Sequence, residues 1–197
     1  MPITSPLLIE FGSPEWQARI GGDFFGPETN NDFAWNWLGG RAGWVVLPGM
    51  DPSRDYRLEV EAAPIAVHAE SMWEIVASSP NGTELDRWAV PLTAHPHQFT
   101  LSPGEGGNVP IRFDLRKLPP PELEVQAGTT SVARLIFEYA PELQTRDFIL
   151  RREFITPELA ITFVPNYAVA PAGTAKTSDE RRLSFRFVRL RVSAIEA

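Results

Sequence analysis

A chain of 197 residues with a formal charge of −7 and no cysteine excludes several functional classes at the outset. The acidic balance argues against nucleic acid or an anionic membrane as partner, since either would need a basic face; no disulfide framework or thiolate chemistry is available. At this length a folded chain buries about 70% of its unfolded surface, so one core suffices and residues 1–197 read as a single domain.

Met1 to Glu10 carries neither a basic leader nor an apolar run long enough for a signal or a membrane span. If Met1 is the natural start, the expected location is the cytoplasm; if the chain is a processed or excised domain, it is the cell surface or exterior. Leu7 to Phe11 and Trp16 to Ile20 read as short strands separated by Gly12-Ser13-Pro14. Gly21 to Asp32 reads as a loop rich in glycine, acids and amides. Phe33, Trp35 and Trp37 then share one face, taken as the inner one. Gly39-Gly40 reads as a turn into the strand Gly43 to Leu47, which Pro48-Gly49 closes.

The middle of the chain is the most regular. Tyr56, Leu58 and Val60 alternate with Arg57, Glu59 and Glu61, the pattern of a half-buried antiparallel strand. Met72 to Leu92 reads as a hairpin with Trp73, Ile75, Ala77 and Trp88 inward and a turn at Pro80-Asn81-Gly82. A second hairpin, His97 to Leu115, turns at 103–107. Leu118 to Pro121 is a stiff connection, and Val132 to Tyr139, Phe148 to Ile155 and Leu159 to Val164 are further strands. A long loop is expected over 165–180.

The last stretch is the longest alternating run. Leu183, Phe185 and Phe187 point one way and Ser184 and Arg186 the other; after the Phe187-Val188 doublet the apolar face passes to Val188, Leu190 and Val192. A period of two means strand, and a doublet in mid-run predicts a β-bulge. Ten to twelve such strands and no long helix predict an all-β fold: a two-sheet antiparallel β-sandwich, of the jelly-roll kind.

The order of Phe33-Ala34-Trp35, Gly43-Trp44-Val45-Val46-Leu47-Pro48, Asp55-Tyr56-Arg57-Leu58-Glu59-Val60, Asn81-Gly82, Phe99-Thr100-Leu101, Asn108-Val109-Pro110-Ile111 and Asp179-Glu180-Arg181-Arg182-Leu183-Ser184-Phe185 resembles galactose-binding-like β-sandwich domains. Among these it is most similar to the accessory modules that accompany glycosyltransferases and glycoside hydrolases. The resemblance covers about residues 20 to 195, with 141–171 lacking a counterpart and readable as an insertion. It implies a non-catalytic carbohydrate-binding module.

Six tryptophans offer aromatic faces for sugar stacking. Of these, Trp16 and Trp44 are the less clearly inward. The stretch from Asp23 to Asp32 concentrates oxygen-bearing side chains, so Asp23, Asn30, Asn31, Asp32 and Arg41, with Trp44 beside them, form the candidate ligand site. Within it Asp23, Glu28 and Asp32 are candidate ligands for a structural calcium; the competing reading is that Asn30, Asn31 and Asp32 only close a turn. His95 and His97, with His68 distant in sequence, read as surface histidines rather than a zinc site. No nucleophile elbow, phosphate loop or zinc-protease motif occurs, and Glu59 and Glu61 lie on a solvated strand face, so a non-enzyme is expected. The alternative function is a structural or assembly subunit that docks a partner protein chain through the 141–171 and 165–180 segments.

Overall fold

The computed structural model describes residues 6–65, 72–78, 83–91, 112–117, 119–168 and 181–196. The fold is all-β and antiparallel. Among the described residues twelve strands follow in chain order: β1 (Leu7–Glu10), β2 (Ile20–Thr29), β3 (Ala34–Pro48), β4 (Tyr56–Pro64), β5 (Met72–Ser78), β6 (Glu84–Pro91), β7 (Arg112–Lys117), β8 (Glu122–Ala127), β9 (Thr130–Ile136), β10 (Gln144–Leu150), β11 (Glu158–Pro165) and β12 (Phe185–Ala194). Strands β5, β6 and β7 form a separate three-stranded sheet in the order β6-β5-β7, and the others form one nine-stranded sheet along the path β10-β4-β12-β3-β11-β8-β9.

The long strand β3 makes two layers out of that single path. Its first part, Asn36 to Leu38, pairs with β12; its second part, Gly43 to Pro48, pairs with β11, while β2 follows its other edge throughout. Between these parts lie Gly39 and Gly40, where the strand bends from one layer into the other, as glycines allow at sandwich and barrel corners. The β12 edge that β3 leaves is taken by β1, from Leu7↔Val192 to Glu10↔Arg189. At the far ends of the path β9 and β10 are joined by side chains: Arg146 donates from Nε to the Ile136 carbonyl (2.6 Å), and Gln144 donates from Nε2 to the Glu138 carbonyl (2.8 Å). The result is a two-layer sandwich nearly closed into a barrel.

The core lies between the layers and is strongly aromatic. Phe187 from β12 meets Phe11 (5.2 Å between ring centroids), Phe24 (5.1 Å) and Phe163 (5.0 Å), so one side chain ties β12, β2, β11 and the segment after β1 together. Tyr56, Leu58 and Val60 are buried as their alternation predicts. So are Leu183, Phe185 and Phe187, then Val188, Leu190 and Val192, and the register of β12 against β4 shifts between Phe187 and Arg189, where the doublet places the bulge.

Several expectations are corrected. Trp16 to Ile20 does not begin as a strand: Pro14–Gln17 is a one-turn helix with proline in its first turn, where no N–H is needed, and it turns Trp16 inward. Gly21 to Asp32 is mostly not a loop but β2, whose glycines and Pro27 are absorbed by two register shifts against β3. Gly39-Gly40 is a bend inside β3, not a reversal. The inner face of β3 is the opposite one: Asn36 and Leu38 are buried, while Trp35 and Trp37 are half-buried on the outer side. Ser184, expected on the wet side, is fully buried, its single hydroxyl proton shared between the carbonyls of Gly39 (2.6 Å) and Leu38 (3.0 Å) at the bend. Strand β10 ends at Leu150, followed by a single 3-10 turn, Arg152–Phe154.

The Met72 to Leu92 hairpin forms as β5 and β6; the side chains of Val76 and Ser78 are buried, and those of Ile75 and Ala77 lie outside the described residues. Strand β8 was not anticipated. Within 141–168, β10 pairs with β4, and β11 runs between β3 and β8. The side chains of Trp73 and Trp88, the three histidines, the turns at 80–82 and 103–107, and loop residues 169–180 lie outside the described residues.

At one end of the sandwich Asp55 joins the start of β4 to the end of β10. Its carboxylate accepts from the Arg152 backbone N–H (2.8 Å) and from Arg151 Nη1 (3.0 Å), and these bonds hold its pKa below the usual carboxylate value. A depressed folded-state pKa contributes stability above the unfolded value, about 3.9, and that contribution is lost as pH falls through the folded one. Asp55→Asn is therefore expected to melt below the wild type at pH 7 and level with it near pH 2. Melting curves across that range check this, and a gap that persists in acid contradicts it.

Candidate functional site

The outer face of the first layer carries a strip of aromatic and charged side chains. It exists because the parity of β3 is set from within: Asn36 points inward, so Trp35 and Trp37 must point outward. Phe33, at the end of the β2–β3 turn, lies against Trp35 with ring centroids 5.6 Å apart. Arg186, paired across the ladder with Trp37, places its guanidinium carbon 5.1 Å from the Phe33 ring centre and 5.6 Å from that of Trp35. This is cation–π distance to both rings.

The strip continues through Trp37. Its Nε1 donates to Glu28 Oε2 (3.2 Å), Glu28 Oε1 pairs with Arg181 (2.7 Å), and Arg181 lies 5.3 Å from the centre of the Phe25 ring. Arg186 donates from Nη2 to the Pro141 carbonyl (3.2 Å). The Nε of Arg186 and the Nε1 of Trp35, like the Nε of Arg189, are buried donors without a hydrogen-bond partner among the described residues. Burial lowers the Arg186 pKa, and no carboxylate among the described residues offsets it; the group stays cationic at any physiological pH.

The candidate residues read from the sequence fall into two groups. Asn30 accepts from the backbone N–H groups of Asp32 and Phe33 (both 2.9 Å), closing the β2–β3 turn, and leaves Asn31 and Asp32 exposed next to Phe33. These three border the strip. Asp23, Arg41 and Trp44 belong to the other half of the β2–β3 hairpin, beyond the bend. There Asp23 Oδ2 accepts from the Arg41 backbone N–H (2.7 Å), and Trp44, 37% exposed, lies over Gly21, where any Cβ would meet the indole. Glu28 belongs to the strip through Trp37 and Arg181. Asp23, Glu28 and Asp32 are not brought together: among the described residues no three acidic, histidine or cysteine side chains gather as metal ligands.

The sequence reading missed Phe33, Trp35, Trp37, Arg181 and Arg186 as surface partners of one another. The signal available was Asn36, a polar residue between two tryptophans, which marks either a wet face or a buried amide with its own partners.

Beside the strip, the outer face of β4, β12 and β10 is charged and internally paired, with Arg189 on Glu61 (3.2 Å) and Arg57 on Asp147 (2.9 Å). Among the described residues no helix is long and apolar enough to cross a membrane.

No protein-family model matches the chain, and neither does any curated protein sequence. Among solved structures it is similar to the lectin from Bauhinia forficata in complex with GalNAc, with 7% sequence identity and a TM-score of 0.30 over 98% of this chain and 100% of that one. A likeness so distant transfers neither ligand nor site.

Proposed function

We propose that the chain is a non-catalytic carbohydrate-binding β-sandwich that takes sugar on the outer face of its first layer. The observation that carries this reading is the outward strip of Phe33, Trp35 and Trp37, flanked by Arg186, Glu28 and Arg181. Aromatic faces pack against the apolar face of a pyranose, while charged and amide groups at the rim bond its hydroxyls. Exposed Asn31 and Asp32 supply rim groups at the turn. Among the described residues, the carboxylates whose pKa departs from the ordinary value, Asp51, Asp55 and Glu124, are held down by hydrogen bonds.

The test is retention of the wild-type chain on a panel of immobilised glycans, followed by titration with the retained sugar. Trp35→Ala is expected to weaken binding at least about tenfold, the loss of roughly 1.4 kcal/mol of contact. A loss at Trp44→Ala with none at Trp35→Ala moves the site to the Asp23, Arg41 and Trp44 side of the hairpin. No retention on any glycan, with a fixed partner chain co-purifying, overturns the reading in favour of an assembly subunit.

A further inference from the structure

We propose that the strip selects an acidic saccharide, a uronic-acid residue whose carboxylate pairs with Arg186. The inference rests on the carbohydrate-binding reading and names the class of sugar.

Its ground is an imbalance of charge within one patch. Arg181, Arg189 and Arg57 each have a carboxylate partner on the protein, at 2.7, 3.2 and 2.9 Å respectively. Arg186, on the same strand as Arg189, has none among the described residues; its bonds are one carbonyl and two aromatic rings. A guanidinium taken partly out of water without a counter-ion costs free energy that a ligand carboxylate would offset.

The geometry suits that ligand. The guanidinium lies within cation–π distance of Phe33 and Trp35, and the N–H groups of a guanidinium match the two oxygens of a carboxylate. Buried donors without partners are uncommon, and two occur in this stack, at Trp35 Nε1 and Arg186 Nε. A pyranose on the tryptophan, with its carboxylate against the terminal N–H groups of the arginine, places apolar and ionic contacts side by side. The overall charge of −7 makes such selectivity a local property, so binding should weaken with added salt without gaining from long-range attraction.

The experiment compares polygalacturonate with its methyl-esterified form, which keeps the backbone and removes the charge, using wild type, Arg186→Gln, Arg186→Lys and Trp35→Ala, with circular dichroism to confirm folding. The expected result is at least tenfold tighter binding of the acid than of the ester by wild type, loss of that preference in Arg186→Gln, and partial recovery in Arg186→Lys. Trp35→Ala should weaken acid and ester alike. Equal wild-type binding of acid and ester overturns the acidic-sugar assignment while leaving sugar binding in place. Preference for a sulfated glycan over the uronate overturns the carboxylate assignment. Binding to no glycan of a mixed neutral and acidic panel removes the underlying reading and this inference with it. If Arg186→Gln does not fold, the wild-type comparison of acid with ester still decides.

Discussion

Phe187→Ala is expected to destabilise the protein by about 3–5 kcal/mol, the range for truncating a large aromatic in a packed core. Three other rings touch this side chain, and they come from β2, β11 and the segment after β1. Both layers therefore lose contacts at once, and no single element can move in to fill the space. At about 2–4 °C of melting temperature per kcal/mol for a chain of this size, the transition should fall by on the order of 10 °C. Ile149→Ala is the matched control. Ile149 is 47% exposed on β10, and its truncation should stay within about 0.5 kcal/mol. Urea denaturation of the two variants beside wild type measures both numbers. Similar losses at the two positions would mean that the Phe187 cluster is not the joint between the layers.

Where one residue's fate depends on its near neighbours, the sequence was readable. The faces of β4 and β12 follow from simple alternation, and the bulge at Phe187-Val188 follows because two consecutive apolar residues cannot both sit on the inner face of a regular strand. Strand β8 carries the same signal, with Leu123, Val125 and Ala127 inward, but it follows directly on Pro119-Pro120-Pro121, which speaks for a loop. The errors cluster where the deciding partner is far away in the chain. Glycines, Pro27 and acidic residues over 21–32 have loop composition, and only pairing with β3 makes them a strand. Ser184 is inward because the β3 bend presents the Leu38 and Gly39 carbonyls to it, 146 and 145 positions away. The candidate site followed the same division. The turn at Asn30 was legible as local Asx chemistry, whereas the aromatic strip depends on the parity of β3, and counting apolar residues assigns that parity the wrong way round.

The residue that sets this parity is Asn36, and its replacement is the second large effect expected. Asn36 is 1% exposed. Its Oδ1 accepts from the Gly12 backbone N–H at 2.6 Å, its Nδ2 donates to the Phe25 carbonyl at 2.7 Å, and its amide exchanges two longer bonds with Gln17. Asn36→Leu leaves the Gly12 and Phe25 backbone groups buried and unpaired, at about 1–3 kcal/mol each, so a loss of roughly 2–5 kcal/mol is expected. Gly12→Ala strikes the same junction from the other side. Gly12 has φ +84°, and a Cβ there would lie 2.6 Å from both the Trp35 nitrogen and the Ala34 Cβ, so β3 itself would have to move. The left-handed conformation alone costs about 1–2 kcal/mol. Because both variants lose the same Gly12–Asn36 bond, the double variant should lose less than the sum of the singles. Asn36→Asp separates polarity from shape. Protonated, the new carboxyl can donate to the Phe25 carbonyl; ionised, it meets that oxygen with like polarity in a buried site. Its folded-state pKa should therefore lie above the unfolded value of about 3.9, with full stability below that value and loss as pH rises through the folded one. The sign is opposite to that of Asp55, so the gap between wild type and Asn36→Asp in urea midpoint should widen from pH 4 to pH 8. A gap independent of pH would show that the amide holds β3 by its shape, and that its hydrogen bonds do not decide which face of the strand turns outward.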